Sequence, residues 1–309
     1  MTKRLALVAA ARATIAQGSQ SFAAASKLFA PATRERAWLL YAWCRAADDL
    51  TDGQQFGHGA SATNDPMAVQ ARLEALTAAA LDTDAAVPLP FAALRAVARE
   101  TAMPRRFVAD HLAGFALDAA DWRPDDEDDL LRYCYHVAGS VGCMMAVVMG
   151  VSPQDEDTLD RACDLGLAFQ LANIARDVVP DSAAGRCYLP RQWLAAEGLV
   201  EAELARRHHR AALARLAARL VELSRPYRCS ARIGAARLPV RSRLAVLAAD
   251  GIYGAIGEHV LALGERAWDQ RVRVNGAGKL ALLGQAAVRS FGTPAIAPRD
   301  RLWTRARQV

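Results

Sequence analysis

Apolar residues recur at helical spacing along almost all of the 309-residue chain, and no run of β-branched residues alternates at the two-residue period of a strand. A side-chain pattern can satisfy one of these periods but not both, so the chain is restricted to packed helices. Helices are predicted over 4–16, 20–29, 34–52, 66–81, 91–101, 105–120, 128–150, 156–179, 201–224 and 241–269, with a last one near 278–290. Their ends fall at Pro31, between Gly53 and Gly59, at Pro88 and Pro90, at Pro104, Pro124 and Pro153, and through Pro180 to Pro190. Most connections are short, as between antiparallel neighbours in a bundle. No linker-like change in composition divides the chain, which predicts one all-α domain spanning 1–309. From about 292 onward, Pro294, Pro298 and several arginines read as a frayed tail.

Composition agrees with this. Hydrophobic residues make up 53% of the chain but aromatics only 6%, and the surplus is Ala and Leu, both strong helix formers. The formal charge is +5, carried almost wholly by arginine, since only Lys3, Lys27 and Lys279 are lysines. That imbalance is read as genome base composition rather than a nucleic-acid footprint. A mild positive balance also suits anionic substrates or an anionic membrane surface. The cysteines (Cys44, Cys134, Cys143, Cys163, Cys187 and Cys229) show no CxxC spacing, and Arg12 interrupts the apolar run that follows Lys3 and Arg4. The expectation is a cytoplasmic protein with reduced thiols. No uninterrupted run reaches the roughly 18 apolar residues of a membrane span, so any membrane contact is expected to be peripheral, on the inner face.

Two stretches carry chemistry. In the first, Tyr41, Arg45, Asp48 and Asp52 fall within roughly 60° of one another on a helix, while Asp49 points about 80° away from the direction of Tyr41. Carboxylates four residues apart, ~6 Å along the axis, can reach neighbouring hard cations such as Mg²⁺. A surface face with an Arg45–Asp48 pair is the bland alternative. Leu39, Leu40, Trp43 and Leu50 argue instead for a mostly buried helix, on which two unpaired carboxylates would be costly without a cation. In the second stretch Gln170, Asn173, Asp177 and Asp181 project within about 80° of one another. An amide oxygen beside two carboxylates is a hard-cation donor set. Two such faces loaded with Mg²⁺ would trap a diphosphate, with Arg45, Arg176 and Arg271 completing the charge balance.

Two other charged runs are read as ordinary. Asp125 to Asp129 opens a helix, where carboxylates favour the positive end of the dipole. Arg206-Arg-His-His-Arg210 is taken as a solvated helix face rather than a ligand cluster.

Three blocks, Tyr41 to Asp52, Tyr133 to Gly142 and Leu165 to Pro190, resemble the squalene/phytoene synthase family, and the similarity runs over nearly the whole chain. Ser21 to Phe29 and Ala267 to Val272 are most similar to the bacterial phytoene-forming members. The resemblance implies an isoprenoid-synthase-type helical bundle around a central cavity. It also implies Mg²⁺ ligation, with Mn²⁺ as a substitute, by Asp48 and Asp52 from the first face and by Asn173, Asp177 and Asp181 from the second. Ser19, Ser21 and Phe22 match the family's flap over a substrate diphosphate. Tyr41, Arg45, Gln170, Arg176, Tyr253 and Arg271 match positions that contact diphosphates or metal-bound waters. Tyr133 matches a tyrosine near the reacting carbons, although a helix-packing tyrosine is the alternative. Gly139 and Gly142 either let an isoprenoid tail pass or allow tight helix packing. Pro180 departs from the family pattern and predicts a kink or end to the helix before Asp181. Thr51 replaces the usual apolar β-branched residue.

The activity implied is head-to-head condensation of two geranylgeranyl diphosphates, through a cyclopropyl diphosphate, without NADPH. Peripheral membrane contact and contact with downstream carotenoid enzymes are expected, and nucleic acid is not. The rivals are a farnesyl-using relative that makes squalene or dehydrosqualene, a head-to-tail prenyltransferase, and a non-catalytic assembly factor of the same fold.

Overall fold

The computed structural model describes residues 3–18, 20–51, 65–292 and 298–307. Asp52 and Ser19 lie outside these, as does the side chain of Ser21. Among the described residues all regular structure is helical. In chain order the helices are α1 (Lys3–Gly18), α2 (Gln20–Ser26), α3 (Pro31–Thr51), α4 (Pro66–Asp82), α5 (Leu89–Thr101), α6 (Arg105–Ala119), α7 (Glu127–Cys134), α8 (Ser140–Val148), α9 (Glu156–Ala183), α10 (Arg191–Ala196), α11 (Arg210–Ala235), α12 (Val240–Leu263) and α13 (Gly276–Ser290).

Local chemistry sets several of their ends. Asp65 caps α4 by accepting from the Ala68 amide at 2.9 Å, with Pro66 in the first turn. Asp126 caps α7 in the same way, accepting from the Asp129 amide at 3.0 Å, so the acidic run opens a helix as expected. Asn275 caps α13 through the Gly278 amide.

The chain gathers into two compact units, 1–120 with 144–155, and 121–143 with 156–309. In the first unit α3 packs against α1, α4 and α5, and Trp43 is fully buried with its ring edge-on to His111. In the second unit α9 packs on α11, α12 and α7. α12 is long and apolar enough by composition to cross a membrane, but Leu247, Ala248, Gly251, Ile256 and Val260 are buried within this unit.

Several predicted boundaries change. The long helix expected over 128–150 is broken by a π-helical turn at Tyr135–Gly139. Gly142 and Gly166 explain the close packing there. A Cβ on Gly142 would lie 2.4 Å from the Ala162 carbonyl oxygen, and one on Gly166 would lie 2.3 Å from that of Ala138. These glycines therefore serve tight helix packing. The helix predicted over 201–224 begins instead at Arg210 and continues to Ala235 with Pro226 inside it, after two 3₁₀ turns at Glu201–Glu203 and Arg207–His209. The basic run from Arg206 to Arg210 is therefore a turn leading into α11 rather than a helix face.

The tail is the largest correction. Residues 298–307 are docked on the N-terminal half of α9, not frayed. Arg299 makes a two-pronged pair with Asp164, at 2.6 and 2.8 Å. Arg305, fully buried, bonds Glu156 and lies 2.9 Å from Asp160, and Arg307 reaches the other Asp160 oxygen at 2.5 Å. The Trp303 amide donates to the Tyr227 hydroxyl at 3.2 Å. Pro and Arg content made this segment look unstructured, but buried carboxylates on α9 hold it.

Candidate active site

The C-terminal half of α9 carries the predicted second face. The helix does not end at Pro180. It runs on to Ala183 and closes at Gly185 (φ 76°), whose successor Arg186 donates its amide back to the Asp181 carbonyl at 2.9 Å. Pro180 is exposed, and the helix continues past it although its nitrogen cannot bond the Arg176 carbonyl. Asp181 thus stays one turn beyond Asp177, and both line a pocket of about 350 Å³ with Arg176, Pro180, Ala267, Trp268 and Arg271.

Charge is distributed unevenly in this pocket. Arg176 donates to both Asp177 oxygens, Nε to Oδ1 at 2.9 Å and Nη2 to Oδ2, and Arg271 adds a bond to Oδ2 at 3.1 Å. Burial pushes the Asp177 carboxyl up, but the two guanidiniums outweigh it and hold it below the usual carboxylate range. Arg271 is brought here because Trp268 donates its indole N–H to the Ala175 carbonyl at 3.2 Å, anchoring its segment against α9.

Asp181 is the opposite case. Among the described residues its carboxylate makes no hydrogen bond or ion pair. Burial, then the neighbouring Asp177 charge, push its carboxyl up to about 7. Ile174, Val178, Leu189 and Leu204 form the apolar recess beside it. One turn before Asp177, the Asn173 amide nitrogen donates to Gln170 Oε1 at 3.4 Å, which leaves the Asn173 oxygen as a donor. A half-buried carboxylate with no ion pair among the described residues, beside a second carboxylate and an amide oxygen on the same face, fits a hard divalent cation. Tyr253 belongs to the same unit, where it stacks on Phe169 with ring centroids 3.9 Å apart.

The first face lies on α3. Arg45 is 3.6 Å from Asp48 and 3.9 Å from Asp49, so Asp49 shares the guanidinium. Tyr41 packs against Phe22 at 5.4 Å, and a Cβ on Gly18 would lie 2.7 Å from the Tyr41 hydroxyl. In the sequence Gly18 carries no signal beyond being a small residue beside the predicted flap. Burial pushes the Tyr41 hydroxyl up despite the nearby Arg45.

Tyr133 is buried, stacked against Tyr188 at 4.8 Å and Trp122 at 6.0 Å. Tyr188 comes from the block that runs to Pro190, so the structure joins two of the sequence blocks here. The aromatic stack was not foreseen, because its three rings are far apart in sequence.

Comparison with known proteins places this architecture. The family model "Squalene/phytoene synthase" matches residues 15–277. A phytoene synthase of Pseudescherichia vulneris is 48% identical over 297 residues, 94% of this chain and 96% of that one. A 15-cis-phytoene synthase of a Paracoccus species is 48% identical over 305 residues, covering 97% and 98%. Among solved structures, a dehydrosqualene synthase superposes with TM-score 0.81 at 26% identity, covering 93% of this chain and 97% of that one. A squalene synthase of Alicyclobacillus acidocaldarius shares the fold, with TM-score 0.75 at 22% identity over 85% and 95%. The helical fold and its carboxylate-bearing helix are those of a prenyl-condensing synthase. The chain belongs to the squalene/phytoene synthase family.

Proposed function

We propose that this chain joins two molecules of geranylgeranyl diphosphate head to head into phytoene, the entry to carotenoid synthesis. The observation that carries this is 48% identity, over nearly the full length, to bacterial proteins named phytoene synthase. The pocket on α9 supplies residue-level support.

In this reading Asn173, Asp177 and Asp181 would hold Mg²⁺ (or Mn²⁺), and Asp48 and Asp52 would do so on their own helix. Bound there, the metal supplies positive charge to a departing diphosphate. Arg176 and Arg271 already hold Asp177 ionised and present guanidinium donors to the pocket, where they orient the same leaving group. Arg45 and Tyr41, with Ser19, Ser21 and Phe22, are assigned to diphosphate contact on the first face. Gln170 and Tyr253 are assigned to metal-bound water and diphosphate. The reaction makes a carbocation at C1 of one substrate, which the C2–C3 double bond of the other attacks to give a cyclopropyl diphosphate. A second ionisation and rearrangement then give the 1–1′ bond, and proton loss yields the C40 product. Carbocations are strong acids, so a weak acceptor suffices, either released diphosphate or the Tyr133 hydroxyl. Peripheral contact with the membrane inner face would let the product leave into lipid or pass to later carotenoid enzymes.

The structural likeness to a dehydrosqualene synthase supports a second reading, in which the substrate is the C15 diphosphate. One assay separates the two. Purified protein with Mg²⁺ receives C15 or C20 diphosphate, with and without NADPH, and the lipids are analysed. A C40 hydrocarbon from the C20 substrate without NADPH is expected. A C30 product from C15, with none from C20, overturns the phytoene reading.

A further inference from the structure

The connection between α10 and α11 brings together a second donor set of different chemistry. Ligand atoms of Glu203, His208 and His209 all lie within 4.8 Å of one another. They come from the two 3₁₀ turns Glu201–Glu203 and Arg207–His209. The His209 Nε2 atom is buried and, among the described residues, has no hydrogen-bond partner. It faces Glu203 Oε2 across 3.8 Å, too far for a hydrogen bond and close to the separation of two donors on one tetrahedral ion. The other Glu203 oxygen is held by Arg206 at 2.9 Å, which fixes the carboxylate with Oε2 turned towards the histidine. The His208 ring lies 4.0 Å from that of His209 and is exposed, leaving an open side.

From this geometry we infer a transition-metal site formed by Glu203, His208 and His209, of Zn²⁺ class, separate from the aspartate pocket. Two imidazoles and one carboxylate, with a fourth position open, are a borderline donor set. Mg²⁺ prefers oxygen ligands and keeps its waters, so it does not compete here. Arg206 offsets the Glu203 charge, so an ion here would be held through the imidazole nitrogens rather than by electrostatics alone. Bound metal would tie the two turns together at the entry to α11. The next residue, Arg210, lies over the Trp268 ring at 5.4 Å, and Trp268 borders the aspartate pocket.

The test uses the full chain stripped with a chelator and kept in excess Mg²⁺. Zn²⁺ is titrated by calorimetry, and Co²⁺ by its visible absorption. One Zn²⁺ per chain is expected, with Co²⁺ giving the intense bands of a four-coordinate site. His208→Ala and His209→Ala should each weaken Zn²⁺ binding by about tenfold or more, while Asp177→Ala retains it. His208 is exposed, so its substitution reports on ligation without disturbing packing, and circular dichroism confirms the fold of each variant. Absence of Zn²⁺ binding by the parent protein would overturn the site. So would unchanged affinity in the folded His208→Ala variant, or loss of binding confined to Asp177→Ala.

Discussion

The two halves of α9 carry the same pattern and meet opposite fates. Glu156, Asp160 and Asp164 step by four residues near its start, and Asn173, Asp177 and Asp181 step by four near its end. The first group is neutralised from within the chain, by Arg305, Arg307 and Arg299 of the C-terminal segment. In the second, Asp177 is ion-paired with two arginines, whereas the Asp181 carboxylate forms no ion pair among the described residues. Period-four carboxylates therefore do not by themselves mark a metal site. What distinguishes the second half is a carboxylate with no ion pair among the described residues, next to a pocket.

The strongest way to break this contrast is Arg305→Met. It leaves Asp160 and Glu156 short of a buried partner and should cost about 3–5 kcal/mol of stability in urea unfolding. A loss under about 1 kcal/mol would mean that the tail does not hold that half. Asp177→Asn should do the reverse, lowering turnover by about 10²–10³-fold, comparable to removing one preorganised charge-stabilising group, with a much smaller change in unfolding midpoint. Turnover within tenfold of the parent would remove Asp177 from the chemistry. Arg271→Ala takes away one charged donor on an exposed stem, so KM for the diphosphate substrate should rise roughly tenfold while stability barely moves. If kcat alone falls, Arg271 acts on the transition state and not on binding.

The smallest effect is expected at Asp157, on the structural half. Burial pushes its carboxyl up, but Arg237 and Arg161 more than offset this and leave it below its ordinary 3.8. A depressed folded pKa means the stabilisation is present above about pH 3.8 and is lost as pH falls through the folded value. Asp157→Asn should flatten that acid limb and, because half the side chain is exposed, cost only about 0.2–1 kcal/mol near neutrality. A pH profile identical to the parent's would show that the pair contributes nothing.

Much of the fold was legible because it is local. The limits of α4 and α6, the capped acidic start of α7 and the burial of Leu39, Leu40 and Trp43 follow from caps, prolines and apolar spacing. Pro180 misled, since at an exposed position near the end of α9 the loss of one helical bond is tolerated and the helix continues. The π turn at Tyr135–Gly139 was hidden because its cause lies on another helix, at Gly166. The turns at 201–209 were read as helix because their Ala and Leu content fits either state.

Periodicity alone determined that this chain folds into helices, and donor chemistry at helical spacing predicted that Tyr41 to Asp52 and Gln170 to Asp181 each present oxygen ligands on one face. Both follow from side chains within a few turns of one another. Tertiary structure decided which carboxylates are satisfied. Asp177 is matched by its chain neighbour Arg176 and by Arg271, 94 residues away, and the cation that matches Glu156 lies 149 away. Electrostatic balance is set by distance in space, and helical spacing reports only distance along one helix. Of the two aspartate motifs, the second ends as the one with an identified pocket, and Asp181, beyond Pro180, is its carboxylate without an ion pair among the described residues.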